Sequence, residues 1–409
     1  MGSSSNTTDS RAAASDPGAA AERRRTDRAL TVTGAVIGLA TTFVGPFLVF
    51  KPNRIVQGVG ATALEAFGGA AWAIALVWVA VGALSLRSPG RYGGLLRATL
   101  AVGAFGAGLA ASGHAAAGYA AEAGSIARTS LGTSFYVSLL GLFLVLYQAM
   151  EVTPGRFGRA IAFVAPFAAV AALVAAGAID ELAFAREWVF VRDAFAREFR
   201  RHLAYSLGGT AGAVAIGVPL GVLAARRRRA EAVIMGALNL GQVLPALAFV
   251  GVMMPVLGAL GNAVPPLKAL GVSGIGWAPV LVVLLVYALF PVTRNTAVAI
   301  KQLDPAVLDA ARGMGMSRRR QLFEVELPLA FPVVLAGIRI ALVQTTAGAI
   351  VAAFVGGGGL GAIMFVGLEQ TSIDLVLLGV GPIVALALVF DAALRGIERL
   401  SPALEVPAA

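Results

Sequence analysis

Long apolar stretches alternate with short polar segments along most of the chain. Ten stretches are long enough, at about 20 residues, to cross the hydrocarbon core of a bilayer as helices. They lack the period-two alternation that marks a transmembrane strand. We therefore predict an all-α polytopic membrane protein with about ten transmembrane helices. The predicted spans are 30–50, 64–85, 96–118, 133–150, 158–180, 204–224, 232–257, 277–293, 329–352 and 374–393.

The overall composition supports this class. The 409 residues are 58% hydrophobic and 13% charged, whereas a soluble domain carries about 25% charged residues. The formal net charge is +10, and an excess of arginine in short cytoplasmic loops orients membrane proteins. That explanation is favoured over nucleic-acid binding. We predict contact with membrane lipid and no nucleic-acid partner.

The chain offers few residues for catalysis or metal binding. It contains no cysteine, which excludes disulfides, thiolate zinc sites and cysteine nucleophiles. The only histidines, His114 and His202, lie far apart in the sequence. We predict no catalytic residues and no metal site.

The distribution of basic residues predicts cytoplasmic N- and C-termini, because this orientation places most arginines inside. An amphipathic segment divides the chain into two groups of five predicted spans, with Trp188 and Phe195 on its apolar face. The predicted regions are a disordered cytoplasmic tail (1–28), an N-terminal five-helix membrane extension (29–181), an external amphipathic linker (182–203), a five-helix core (204–395) and a second cytoplasmic tail (396–409).

A charged segment, "DAARGMGMSRRRQLFEVELP" (309–328), interrupts the apolar C-terminal half. Each charge at the centre of a membrane helix costs roughly 2.5–3.5 kcal/mol, so we predict a cytoplasmic loop over 294–327. Asp304 and Pro305 predict the start of a short helix that Gly313 and Gly315 end. Ser317 is predicted to cap a second helix. Arginines 318–320 oppose the dipole of that helix, which indicates a surface that faces a partner protein or lipid headgroups.

This loop resembles the cytoplasmic "EAA" loop of membrane subunits of ATP-binding-cassette (ABC) importers. That motif is Glu-Ala-Ala, three residues, Gly, nine residues and Ile-x-Leu-Pro. The chain has the same spacing, with Asp309 in place of Glu and Val325 in place of Ile. The resemblance implies a coupling helix that inserts into a groove on an ATPase subunit. The implied ATPase-coupling residues are Asp309, Ala310, Ala311, Arg312, Gly315, Met316, Ser317, Leu327 and Pro328.

The flanking segments, including "QVLPALAFVGVMMPVLG" and "YALFPVTRNTAVAIKQLDPAVLDAARGMGM", resemble permeases for glycine betaine, choline, carnitine and similar osmoprotectants. The likeness covers about 200–400 and implies that 204–395 is a type I ABC permease core. It also implies a prokaryotic cytoplasmic membrane, two ATPase subunits, a second permease copy and an external substrate-binding protein. Permeases for methionine and other small solutes share the loop, so they remain an alternative.

ATP hydrolysis is predicted to occur on separate subunits. None of Lys51, Lys268 and Lys301 follows a glycine, so the chain has no Walker A loop. ATP and Mg²⁺ would bind the partner ATPases, and we predict no cofactor on this chain. The run "GGGGLG" (356–361) matches a dinucleotide pattern only formally, because no βαβ unit surrounds it. We interpret it as a flexible or re-entrant break at the outer end of a span.

Two further hypotheses remain open. An ion-coupled secondary transporter normally carries carboxylates deep in the membrane, whereas Glu65, Asp180 and Asp391 all lie near span ends. Polar residues within the core spans are candidates for a translocation pathway, or they form hydrogen bonds between helices. These candidates are Asn239, Gln242, Tyr287, Gln344, Thr345 and Thr346. Pro245 and Pro255 are predicted to kink the span that carries Asn239 and Gln242.

Overall fold

A computed structural model describes residues 17–54, 56–87, 93–153 and 155–400. The chain divides into two compact units, Met1–Val189 and Phe190–Ala409. Helices dominate both units, and the all-α prediction is confirmed.

The first unit is a helical bundle with one small sheet. Its three strands are antiparallel in the order β2-β1-β3, with Leu48 paired to Ala61 and to Leu131. The elements are α1 (Pro17–Phe43), β1 (Leu48–Lys51), β2 (Val59–Ala61), α2 (Ala63–Phe67), α3 (Gly69–Leu86), α4 (Gly93–Ala123), β3 (Arg128–Leu131), α5 (Thr133–Val152), α6 (Arg156–Ala175) and the start of α7 (Ala183–Arg226). Helix α1 packs against α3 and α5, so it belongs to the bundle.

The second unit contains the rest of α7 and all later helices. Helix α11 packs against α14, and α16 packs against α14 and α15. The elements are α8 (Arg228–Val243), α9 (Ala246–Ala263), α10 (Pro265–Ala269), α11 (Trp277–Lys301), α12 (Pro305–Gly313), α13 (Arg318–Gln321), a π-helix (Leu322–Glu326), α14 (Leu327–Gly348), a 3-10 helix (Ala349–Val355), α15 (Leu360–Glu369) and α16 (Ile373–Leu400).

Among the described residues, nine helices are long and apolar enough to span a membrane. The predicted span 30–50 is not one of them. Helix α1 ends at Phe43, and residues 48–51 form strand β1. Pro46 accounts for this boundary because it has no N–H with which to continue the helix.

The predicted span 232–257 is also wrong as a single helix. The structure places α8 before Leu244 and α9 after Pro245. Leu244 has extended backbone angles (φ −68°, ψ 128°), because a residue that precedes proline is disfavoured in helical geometry. Pro255, by contrast, lies inside α9.

The predicted linker 182–203 does not end where the next span begins. Helix α7 runs without interruption from Ala183 to Arg226, a length of 44 residues. The segment from 183 to 207 contains neither glycine nor proline, so no residue in it favours a helix end. The boundary between the two units falls within this helix, after Val189.

Parts of both predicted tails, 1–28 and 396–409, are helical in the structure. Helix α1 begins at Pro17, so residues 17–28 are helical. Their alanine, glutamate and arginine content favours helix. Residues 396–400 likewise belong to α16. Residues 1–16 and 401–409 of the predicted tails lie outside the described residues.

Candidate functional site

The first helix of the charged loop, α12, begins as its sequence predicts. The Asp304 carboxylate accepts a hydrogen bond of 2.8 Å from the Ala306 N–H, and Pro305 occupies the first turn. The carboxylate thereby satisfies one of the amide groups that have no partner at a helix start. This cap fixes where the loop leaves the end of α11.

The end of α12 depends on Gly315. The Gly315 N–H donates to the Arg312 carbonyl (2.9 Å), and the Met316 N–H donates to the Ala311 carbonyl (3.2 Å). Gly315 takes φ +77°, a conformation that costs other residues about 1–2 kcal/mol. No atom lies within 4 Å of the position that a Cβ at Gly315 would occupy. The glycine is therefore required by the backbone turn, and a larger side chain would project from the surface.

The second helix of the loop continues into the membrane-spanning helix. Ser317 Oγ accepts from the Arg320 N–H at 3.3 Å, which confirms the predicted cap. Helix α13 then passes through the π-helix directly into α14, so Pro328 does not separate loop from span. The wider π-helical bonding accommodates the missing proline N–H. Movement of the loop is thus linked to α14 through continuous helix.

An ion pair between a partly exposed arginine and a buried glutamate joins the same segment to α7. Arg226 Nη2 donates to both carboxylate oxygens of Glu326, at 3.2 and 3.0 Å. Glu326 is only 6% exposed, so removal of the arginine would leave a buried carboxylate without its ionic partner. Sequence reasoning missed both residues. The signal available was a glutamate directly before one span, together with an arginine directly after another.

The predicted coupling residues do not all face outward. Ala311 is 2% exposed and packs inside the loop, while Met316 and Leu327 are half-buried. Met314 (71% exposed) and Phe323 (59% exposed) are apolar and were not predicted. Large apolar side chains on a polar surface commonly mark a contact with another protein. The predicted residues that lie exposed are Asp309, Ala310, Arg312, Gly315, Ser317 and Pro328.

The loop encloses one side of a basic cavity. Its volume is about 570 Å³, and it is lined by Arg226, Arg312, Arg318, Gln321 and Glu326. Arg312 also pairs with Asp309 at 2.9 Å on the exposed side. The lining therefore contains three guanidinium groups and one carboxylate, and it favours an anionic group.

Three of the predicted pathway residues form one chain of hydrogen bonds. The Gln344 amide donates to Gln242 Oε1 (3.3 Å), and the Gln242 amide donates to the Tyr287 carbonyl (2.9 Å). The Tyr287 hydroxyl donates to the Leu244 carbonyl at the break between α8 and α9. Pro245 breaks the helix there, and the tyrosine provides a donor for a carbonyl at the helix end. These bonds link α8, α11 and α14.

The other pathway candidates lie elsewhere. Thr345 is fully buried, and its hydroxyl lies 2.9 Å from that of Thr210 and donates to the Ser206 carbonyl at 3.0 Å. Thr346 is also buried and bonds within its own helix. These contacts fit helix packing between α7 and α14. Asn239 is exposed and is not part of the Gln242 chain.

Among the residues that the structure describes, no group of three or more histidine, aspartate or glutamate side chains could hold a metal ion.

Two family descriptions match separate parts of the chain. Residues 217–400 match "Binding-protein-dependent transport system inner membrane component". Residues 27–185 match "ABC transporter permease YehY, N-terminal domain". The charged loop and the hydrogen-bonded chain both lie within the first match.

Curated relatives match about half of this chain and most of their own length. The choline transport system permease protein OpuBB of Bacillus subtilis is 36% identical over 203 residues, which are 49% of this chain and 86% of that protein. The carnitine transport permease protein OpuCB of Listeria monocytogenes is 34% identical over the same shares. The osmoprotectant import permease protein OsmW of Salmonella typhimurium is 35% identical over 179 residues, 44% of this chain and 78% of that protein.

The chain therefore belongs to the binding-protein-dependent transport system inner membrane component family. It is an ABC transporter permease, a multi-pass protein of the cytoplasmic membrane, and the family predicted from the loop is confirmed. Among solved structures, it resembles the MetNI methionine ABC transporter in an inward-facing conformation. That likeness has a TM-score of 0.43 and 22% identity, and it covers 51% of this chain and 95% of that chain.

Proposed function

We propose that the chain is the permease of an ATP-driven importer for glycine betaine, choline, carnitine or a related quaternary ammonium osmoprotectant. The observation that carries this proposal is the similarity of about half of the chain to permeases named for those solutes, at 33–36% identity. The chain supplies the membrane pathway and carries out no chemistry itself.

The proposed assembly contains two permease copies, two ATPase subunits and an external substrate-binding protein. ATP and Mg²⁺ bind to the ATPase subunits. Both termini of the permease lie in the cytoplasm, so residues 304–327 face the ATPases. The exposed Met314 and Phe323 support this face as the docking surface, because a partner that covers them removes apolar area from water.

Closure of the ATPase dimer on ATP would move α12 and α13. Two connections carry that movement into the membrane. One is the uninterrupted helical run from Arg318 to Val355, and the other is the Arg226–Glu326 pair, which joins the loop to α7. Coupling needs an element with two arrangements that both sites influence, and these connections link the loop to two membrane helices.

We propose that the hydrogen-bonded residues Gln242, Tyr287 and Gln344 line part of the translocation pathway. Tyr287 and Phe249 lie edge to face, with ring centroids 6.4 Å apart. Aromatic faces attract quaternary ammonium groups through cation–π contact. The amide groups of Gln242 and Gln344 provide polar partners for the carboxylate or hydroxyl of such a solute.

A transport assay tests the substrate. The permease is reconstituted with its ATPase subunits and binding protein, and uptake of labelled glycine betaine, choline, carnitine and methionine is measured with ATP inside the vesicles. We expect at least one quaternary ammonium solute to be taken up and to compete with the others. Uptake of methionine alone would instead assign the chain to the amino-acid permeases.

A further inference from the structure

One face of α7 binds the segment that joins α14 to α15. Glu198, His202 and Tyr205 lie four and three residues apart, the spacing that places side chains on one face of a helix. All three are at least nine-tenths buried. Glu198 and His202 lie at the end of the predicted external amphipathic linker (182–203), and Tyr205 lies just beyond it.

Each of these residues makes a hydrogen bond to backbone within 346–359. The Glu198 carboxylate accepts from the Gly359 N–H at 2.7 Å. The Tyr205 hydroxyl donates to the Gly357 carbonyl at 2.7 Å. His202 Nε2 lies 2.9 Å from the Thr346 carbonyl, and since a carbonyl only accepts, Nε2 carries the proton. Glu198 and Tyr205 thus supply partners for turn backbone that is neither α-helix nor strand, and His202 binds a carbonyl in the last turn of α14.

The glycine-rich turn fits these side chains closely. Gly358 takes φ +73°, and a Cβ there would lie 2.5 Å from Glu198 Oε2. A Cβ at Gly357 would lie 2.9 Å from the Tyr205 hydroxyl. The break predicted from "GGGGLG" is confirmed, and its glycines allow the backbone to approach α7.

Two features indicate that this contact is more than packing. The turn follows a seven-residue 3-10 helix, Ala349–Val355, at the end of the run from α14, which is longer than the three to four residues over which this poorer hydrogen-bond geometry usually persists. In addition, His202 Nδ1 is buried without a hydrogen-bond partner among the described residues. An unsatisfied buried polar atom costs about 1–3 kcal/mol, so the contact between α7 and the turn carries an unfavourable free-energy contribution.

The charges around Glu198 are arranged to hold it in place. Arg197 and Arg201 pair with its carboxylate at 2.9 and 3.4 Å, and both arginines are more than half exposed. Gly359 is also the residue before α15, so the buried carboxylate lies at the start of that helix, where negative charge is stabilised. The two arginines of these ion pairs lie at the protein surface, whereas the hydrogen bonds to the glycine-rich turn are buried.

From this geometry we propose that Glu198, His202 and Tyr205 form a latch that holds the 346–359 segment closed at the external end of the pathway. The latch must release during each transport cycle. These are positioning residues, because they act through the glycine-rich turn rather than on the solute. The external location rests on the proposed topology, whereas the contact between α7 and the turn does not.

A single introduced cysteine can report release, because the chain has none of its own. Ala352 is fully buried under the turn, and its carbonyl accepts from the Gly357 N–H at 2.8 Å. In an Ala352→Cys permease, assembled with its ATPases in proteoliposomes, we would measure labelling by a membrane-impermeant maleimide. We expect slow labelling without nucleotide and rapid labelling after trapping with ATP and vanadate.

Loss of the latch should mimic that opening. Without nucleotide, Tyr205→Phe should raise the labelling rate about tenfold, the effect of about 1.4 kcal/mol, and Glu198→Gln should raise it too. In the trapped state, both variants should label at the parent rate. Ser206→Ala is the matched control, since its side chain bonds only to the His202 carbonyl of the same helix, and it should leave labelling unchanged.

The possible outcomes distinguish the latch from a local loss of structure, an incorrect topology and an incorrect substrate. Equal labelling of Tyr205→Phe, Glu198→Gln and parent without nucleotide would overturn the proposal. Faster labelling of the variants by the same factor in both states would also overturn it, because that result indicates a local loss of structure. Labelling from the cytoplasmic side only would refute the topology and keep the contact. A latch response without osmoprotectant uptake would refute the substrate assignment alone.

Discussion

The three consecutive arginines of the loop have different surroundings. Arg320 pairs with Glu324 on its own helical run at 2.8 Å. Arg318 lines the basic cavity, and Arg319 is exposed and is not among the cavity-lining residues. The sequence indicated only that the set faced a partner or lipid. Their separate environments let the two explanations be tested with single residues.

Replacement of Arg318 by glutamine should weaken the complex with the ATPase more than replacement of Arg319. An acidic side chain of the ATPase in the cavity would lose a charge-assisted hydrogen bond, worth about 1.5–3 kcal/mol. We expect co-purification of ATPase with Arg318→Gln to fall at least about tenfold and with Arg319→Gln to change little. Equal losses, seen only in vesicles with anionic lipid, would assign the arginines to headgroups.

Gly315 gives a second residue-scale prediction. Gly315→Val should strain the left-handed turn by about 1–2 kcal/mol and place a side chain on the docking surface, so ATP-driven uptake should be lost. Membrane insertion, measured by the yield of purified permease, should remain. Gly313→Ala is the control, because Gly313 lies within helix α12 and space there is open. Normal uptake by Gly315→Val would remove the coupling role.

At the scale of elements, the Arg226–Glu326 pair should transmit loop movement to α7. Glu326→Gln should leave ATPase binding intact and lower uptake per ATP hydrolysed. A coupling effect of about 0.5–2 kcal/mol is typical of residues between two sites, so we expect a change of roughly twofold to thirtyfold. Arg320→Gln, which breaks an exposed pair, should have little effect. Uptake and hydrolysis that fall together in Glu326→Gln would indicate failed assembly instead.

Local signals in the sequence predicted some elements well. The caps at Asp304 and Ser317 are confirmed because each depends on a side chain within three residues of its partner. The continuity of α7 was missed because the charged residues of 182–203 indicated a separate interfacial helix, although no glycine or proline ends the helix there. The π-helix was missed because a proline such as Pro328 normally predicts a helix end. The span 30–50 failed because apolar residues of β1 extended the hydropathy signal of α1.

The candidate site was predictable only where it depends on residues that are close together in the sequence. Spacing of the loop motif over twenty adjacent residues predicted Asp309 and Gly315 as coupling residues. The Arg226–Glu326 pair and the Glu198–Gly359 bond join positions at least 100 residues apart. No single sequence reveals such contacts by periodicity. The distinction between Gln344, in the hydrogen-bonded chain, and Thr345, in helix packing, likewise required the structure.

In the whole molecule, the two units differ in the functional features that they contain and in the families that they match. The second unit contains the loop, the cavity and the proposed pathway, and the curated relatives match about half of the chain. The first unit matches an N-terminal domain named for one ABC permease. Its buried Arg97 donates to Gln148 at 3.1 Å, and Thr31 donates to the same oxygen at 3.0 Å, so its polar interior is built around a shared acceptor.

ATP-dependent uptake in reconstituted vesicles tests the central claim most directly. The permease, its ATPases and binding protein are assembled, and labelled glycine betaine, choline or carnitine is followed with ATP inside, without ATP, and with ATP plus an uncoupler. We expect uptake only with ATP, insensitivity to the uncoupler, and no uptake by the Gly315→Val complex. Uptake that proceeds without ATP and stops with the uncoupler would contradict this claim and establish an ion-coupled carrier.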